Sequence, residues 1–129
     1  MLDAPELFIS IDNTLQNENE FSNLTYGQTY LLTCVAKDSR PAVELNFYAF
    51  SNNLMSLEEY GNNTVSNVQR KVDCNSNSIC TTILSLSLII NDERLKATKK
   101  IICEAKNTTI PFVLSANTTL FVTVTEAKG

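Results

Sequence analysis

Four cysteines, Cys34, Cys74, Cys80 and Cys103, are the side chains of this sequence best equipped for chemistry. A thiol can ligate metal, act as a nucleophile or pair in a disulfide, and its company decides which. The chain has no histidine, so neither a Ser-His-Asp nor a Cys-His arrangement can be assembled. The spacing of Cys74 and Cys80 is wrong for a zinc knuckle. Gly27 and Gly61 stand alone, so no glycine-rich loop cradles phosphate. Glu58-Glu59 and Asp92-Glu93 are acidic doublets outside any calcium-loop pattern and read as solvated turn residues. Lys96, Lys99 and Lys100 could touch an anionic glycan but read as soluble surface. No enzymatic activity, metal or cofactor is expected.

Disulfide formation remains. Four thiols allow three pairings. Cys74 and Cys80 enclose Asn75-Ser76-Asn77-Ser78, a short polar loop that closes easily, which pairs Cys34 with Cys103. Disulfides persist in oxidising compartments, so the expected location is extracellular, as a secreted protein or a cell-surface ectodomain. Four sequons agree with a glycoprotein: Asn23-Leu24-Thr25, Asn62-Asn63-Thr64, Asn107-Thr108-Thr109 and Asn117-Thr118-Thr119. Asn23, Asn62, Asn107 and Asn117 are all expected in loops between strands. In a chain this rich in Asn, Ser and Thr, the motif count alone carries little weight.

With 129 residues, 43 % of them hydrophobic, the chain can bury one sizeable core. It reads as a single domain over 1–129 with its core in 6–125. A net charge of −4 disfavours nucleic acid, which demands a clustered basic surface. No apolar run approaches the ~18 residues of a membrane span. Met1-Leu2-Asp3-Ala4-Pro5 lacks the basic-then-apolar start of a secretory leader, so the chain reads as a mature domain.

The elements that position the cysteines are strands. Val, Ile, Thr, Phe and Tyr dominate the apolar runs, and Gly and Pro are few. Strands are expected at Leu7–Ile11, Thr29–Lys37, Val43–Phe50, Leu54–Leu57 (short or bent), Thr64–Asp73, Thr81–Ile90, Lys99–Lys106 and Thr118–Thr125. Alternation points Leu32, Cys34 and Ala36 inward, with Leu45, Phe47 and Ala49. It does the same for Leu84, Leu86 and Leu88, for Ile101, Cys103 and Ala105, and for Leu120, Val122 and Val124. Asn91-Asp92-Glu93-Arg94 forms a polar turn with room for one helical turn. Two cysteines centred in strands about 70 residues apart, with an aromatic about 13 residues after the first, suggest a bridge across two packed sheets.

Leu32-Thr33-Cys34-Val35-Ala36, followed by Arg40-Pro41-Ala42-Val43-Glu44-Leu45-Asn46-Phe47-Tyr48, resembles the second constant-type set of immunoglobulin domains. Nectins, nephrin and its invertebrate relatives carry a similar C-x-A … R-P-A-x-E-L-x-W-Y pattern. Thr82-Ile83-Leu84-Ser85-Leu86-Ser87-Leu88 looks like their strand E. Ile102-Cys103-Glu104-Ala105-Lys106-Asn107 looks like their strand F, and Leu120-Phe121-Val122-Thr123-Val124 like their strand G. The resemblance covers about Gln28 to Val124 and implies an all-β, immunoglobulin-like antiparallel sandwich of Greek-key topology. Its family bridge would be Cys34–Cys103, and Cys74–Cys80 would be an extra, local one. Two positions depart from the pattern: Phe47 replaces the usual core Trp, and Ile101 replaces the tyrosine two residues before the second cysteine.

The resemblance implies protein–protein recognition, in cell adhesion or receptor–ligand contact, homophilic or heterophilic. The rival reading is a secreted single-domain decoy, viral for example, that captures a host cytokine or receptor; a structural spacer is a third. In such domains the sheet of strands G, F and C is the usual contact face. With Phe47 inward, Tyr48 points out, alternating onto one face with Asn46 and Phe50; Glu104 and Lys106 join them from the neighbouring strand. These five are the candidate partner-binding residues. Phe50, with Leu57 and Tyr60, also admits a second role as a cap on the bottom of the core. Glycans at Asn107 and Asn117 would flank the connection between the last two strands and leave the sheet face open.

Overall fold

Residues 80–89 show why the chain must form a sandwich. In β8 (Cys80–Ile89) Thr82, Leu84, Leu86 and Leu88 are buried while Ile83, Ser85 and Ser87 between them are half-exposed. A strand with one greasy and one wettable face needs a second sheet to cover the greasy one. The computed structural model describes residues 5–17, 20–106 and 116–126. It stacks two sheets of five strands each. One runs β2 (Thr14–Leu15), β1 (Glu6–Ile11), β4 (Thr29–Ser39), β8 and β7 (Val65–Cys74). The other runs β3 (Phe21–Thr25), β10 (Ala116–Thr125), β9 (Lys100–Lys106), β5 (Glu44–Phe50) and β6 (Leu54–Ser56). Short 3-10 helices cover Leu57–Tyr60 and Glu93–Ala97.

Every expected strand is present, with ends shifted by a residue or two. The inward sets stand as expected, except that Val124 is only half-buried against the core. Each leucine fully withdrawn from water contributes roughly 1.5–3 kcal/mol. Cys34 and Cys103 are bonded, tying β4 to β9 through the core. Phe47 lies directly opposite Cys103 and is 2 % exposed, so it fills the space that a tryptophan takes elsewhere. Ile101 is buried as an ordinary core side chain.

Cys74 and Cys80 are bonded and sit opposite each other at the tip of the β7–β8 hairpin. The Asn75 side-chain oxygen accepts from the backbone N–H groups of Asn77, at 2.9 Å, and Ile79, at 3.1 Å, which shapes the loop. β7 is an edge strand with only Val65 buried. Its register slips between Ser66 and Gln69, where Asn67 adopts φ +53°. The bulge and the charges at Arg70, Lys71 and Asp73 discourage pairing with another chain.

Two strands were not expected. β2 folds back on β1 through Asp12-Asn13, both at positive φ, the two-residue turn that suits strand twist. β3 crosses to the second sheet and lies parallel to β10, so the sandwich is antiparallel except at this pair. Leu24 is the only buried side chain in β3. One inward leucine is too little alternation to announce a strand.

Candidate recognition face

The outward side of the second sheet is ordered in rows, because strand register fixes which side chains stand abreast. Asn46 of β5 pairs with Glu104 of β9, and Glu104 with Asn117 of β10. The next row holds Ser56, Tyr48, Ile102 and Thr119. The third crosses all five strands as Leu54, Phe50, Lys100, Phe121 and Phe21. Lys106, opposite Glu44, extends the face at the other end. The five residues singled out by alternation, Asn46, Tyr48, Phe50, Glu104 and Lys106, therefore lie together on one face.

Tyr48 stands near the middle. Burial raises its phenol above the ordinary value, and the carboxylates of Glu104, Glu44 and Glu59 push it the same way. The hydroxyl stays protonated and able to donate in an acidic surround. Asn46 is engaged differently from expectation. Arg70, on the edge strand of the other sheet, donates to its side-chain oxygen at 3.2 Å and also pairs with Glu58. This bridge wraps the rim of the sandwich and fixes one boundary of the face.

Phe50 points outward rather than capping the core. The Lys100 ammonium lies 5.5 Å from its ring centroid and 5.6 Å from that of Phe121, a cation shared between two aromatic faces. Capping falls to Leu57, fully buried, and to Tyr60, packed against the core with the Arg94 guanidinium 4.6 Å above its ring. The acidic doublets hold cations of the chain itself. Asp92 grips Arg94 at 2.7 Å, and Glu58 pairs with Arg70. The three lysines have different company: Lys96 pairs with Glu93 and Glu126 and lies over Tyr26, while Lys100 lies between Phe50 and Phe121.

The sequons are placed differently from expectation. Asn62 is in a turn, as expected, and Asn107 lies outside the described residues. Asn23 and Asn117 are exposed but sit inside strands β3 and β10, on this same outward face. A glycan on Asn117 would stand abreast of Glu104 and Asn46 instead of leaving the face open. Thr118 is buried at a core position, and a polar residue there hides the start of the strand from any apolar pattern. Alternation could also have supplied Ile102 and Lys100, next to Glu104. Phe21 and Arg70 carried no such signal, since one opens an unread strand and the other reaches between sheets.

The solved structure of the mouse nectin-like molecule 4 full ectodomain (Ig1–Ig3) matches 97 % of this chain with a TM-score of 0.62 at 18 % identity. This chain has an immunoglobulin-like fold. The immunoglobulin-like domain spans 35 % of the length of that ectodomain. No family model matches its sequence, and no curated protein does. At this identity the likeness is one of fold, and the sandwich with its inter-sheet bridge beside Phe47 is the architecture that the sequence resemblance had implied.

Proposed function

We propose that this chain is one extracellular recognition domain, its core within 6–125, that binds a protein partner through the outward face of the second sheet, in cell adhesion or receptor–ligand contact. Tyr48 carries the reading. A large, two-rotor aromatic stands on a central strand, flanked by Ile102 and ringed by Glu44, Glu59 and Glu104. Such a side chain offers wide contact area at low entropic cost and keeps a hydroxyl for the wet rim. The carboxylates around it suit a partner that lays a Lys or Arg over the ring. Asn46, Phe50, Glu104 and Lys106 supply the surrounding contacts.

The two disulfides support an oxidising environment. The likeness to an adhesion-type ectodomain supports binding rather than catalysis. Row spacing along a strand is about 7 Å, so a glycan on Asn117 would confine the contact to the Tyr48 and Phe50 side. The test is capture from native cell surfaces with the multimerised domain as bait. Tyr48→Ala should weaken binding by about 2 kcal/mol or more, roughly thirty-fold, while substitutions at Lys96 change it little. Binding that survives Tyr48→Ala with Phe50→Ala, yet is lost on altering the loop around Asp38, would place the site at the end of the sandwich.

A further inference from the structure

Phe21 is 70 % exposed, more than any other large hydrophobic side chain among the described residues. It sits on β3, the outer strand of the second sheet, with its ring centroid 5.6 Å from that of Phe121. Asn23 follows two residues later, exposed and on the same face, beside Thr123 of β10. A groove of about 450 Å³ runs here, lined by Phe21, Phe121, Thr123, Lys96 and Lys100 among others. The stretch Phe21-Ser22-Asn23-Leu24-Thr25 thus places an aromatic ring, an acceptor amide and the hydroxyl of a sequon on alternate residues of one strand face.

We propose that Asn23 carries an N-linked glycan whose first N-acetylglucosamine packs on the Phe21 ring and fills this groove. The proposal rests on the extracellular reading and concerns the β3 side of the same outward face, three strands away from Tyr48. In the transfer step the Asn23 side-chain nitrogen bonds to C1 of the sugar of a polyprenyl-diphosphate-linked oligosaccharide. The C1–oxygen bond to the diphosphate breaks, the lipid diphosphate leaves, and the amide loses one proton to the transferase. The first sugar, attached two residues and about 7 Å along the strand from Phe21, can fold back over it. A pyranose presents C–H groups on one face and hydroxyls on its rim. The C–H face removes the phenyl ring from water while the hydroxyls face solvent, Thr123 and Lys100. Phe121 braces the Phe21 ring from the side, so little ring motion is lost on stacking. The glycan also screens the outer edge of β3, which pairs with no other strand among the described residues.

The experiment secretes the whole chain from eukaryotic cells behind a leader, with Asn62, Asn107 and Asn117 changed to Gln. Glycopeptide mass spectrometry reads occupancy at Asn23. An endoglycosidase then trims the glycan to a single N-acetylglucosamine, and melting is compared with Asn23→Gln in three backgrounds: native Phe21, Phe21→Ala and Phe21→Leu. The leucine keeps an apolar side chain without a flat ring. Expected are an occupied Asn23, a melting temperature about 3 °C higher with the single sugar in the native background, and most of that gain lost in both variants. Ring-current upfield shifts of the first sugar's protons should accompany it. An unmodified Asn23 in the secreted chain, or a gain that is the same without the ring, overturns the proposal. Because the host forces passage past the transferase, either failure is distinct from failure of the partner-binding reading, which the Tyr48 assay decides.

Discussion

The Tyr26 hydroxyl donates to the backbone carbonyl of Asn91 at 2.9 Å, across 65 residues of sequence. The Asn91 side chain completes a three-way junction: its oxygen accepts from the Thr64 hydroxyl at 2.8 Å, and its nitrogen donates to the Asn63 carbonyl at 2.8 Å. The β3–β4 turn, the approach to β7 and the exit from β8 are thereby held at one point. In immunoglobulin sandwiches a tyrosine two residues before the second cysteine usually pins this corner. Ile101 stands there in this chain, and Tyr26 pins the corner from another strand connection.

Asn91→Ala should therefore cost about 2 kcal/mol, from two lost side-chain hydrogen bonds and a stranded Thr64 hydroxyl. Tyr26→Phe, which removes one donor and keeps the ring under Lys96, should cost about 1 kcal/mol. Urea titration of the three proteins reads both, and an Asn91→Ala midpoint equal to that of the native protein would mean that the Asn91 side chain adds nothing to the corner.

Phe47→Ala should destabilise by about 3–5 kcal/mol, through lost transfer energy and the cavity left beside Cys103. The check is the shift of the denaturant midpoint at unchanged slope. A cost below about 1 kcal/mol would show that neighbouring side chains collapse into the space.

Loss of the two disulfides should be unequal. Chain entropy assigns roughly 4 kcal/mol to the bridge with sequence separation 69 and roughly 2 kcal/mol to that with separation 6. Replacing Cys34 and Cys103 by Ala should leave the chain unfolded or nearly so. Replacing Cys74 and Cys80 should leave it folded with a lower melting temperature. Calorimetry of both double variants orders them, and the reverse order would refute the entropic account.

Acid should weaken the Asp92–Arg94 pair. The Arg94 side chain first, and its backbone N–H as well, hold the Asp92 carboxyl below its ordinary value, against the opposing pull of burial. A depressed folded pKa adds stability above the unfolded value near ~3.9, and that stability is lost as pH falls through the folded value. Asn caps a helix as well as Asp does, so Asp92→Asn removes the charge and keeps the cap. The gap in urea midpoint between native protein and Asp92→Asn should be small at neutral pH, since Arg94 is largely exposed. It should close as the pH falls through the depressed folded value. A gap that persists in acid would assign the effect to geometry and not charge.

The core was legible because β5, β8 and β9, and β4 from Leu32 to Ala36, alternate without interruption, and a one-residue slip in any of them would expose the whole inward set. The candidate face followed from the same alternation, since fixing Phe47 inward sends Tyr48 outward. What stayed hidden was of another kind. β3 buries a single leucine and pairs parallel with a strand almost a hundred residues later, a relationship that no local pattern encodes. The contact from Arg70 to Asn46 depends on how far apart the sheet edges sit, and periodicity is silent on that distance. Asn117 looked like a loop residue because the buried residue after it is a threonine.

The parallel pairing of β3 with β10 also sets how the fold answers to a pull. Tension entering through the chain before β3 and leaving through the chain after β10 drags the two strands past each other along their length. The five register pairs from Phe21 with Phe121 to Thr25 with Thr125 then resist together, in shear. An antiparallel hairpin pulled open from its ends would instead unzip one pair at a time. That difference separates a domain that yields gradually under load from one that holds until the whole strand gives way.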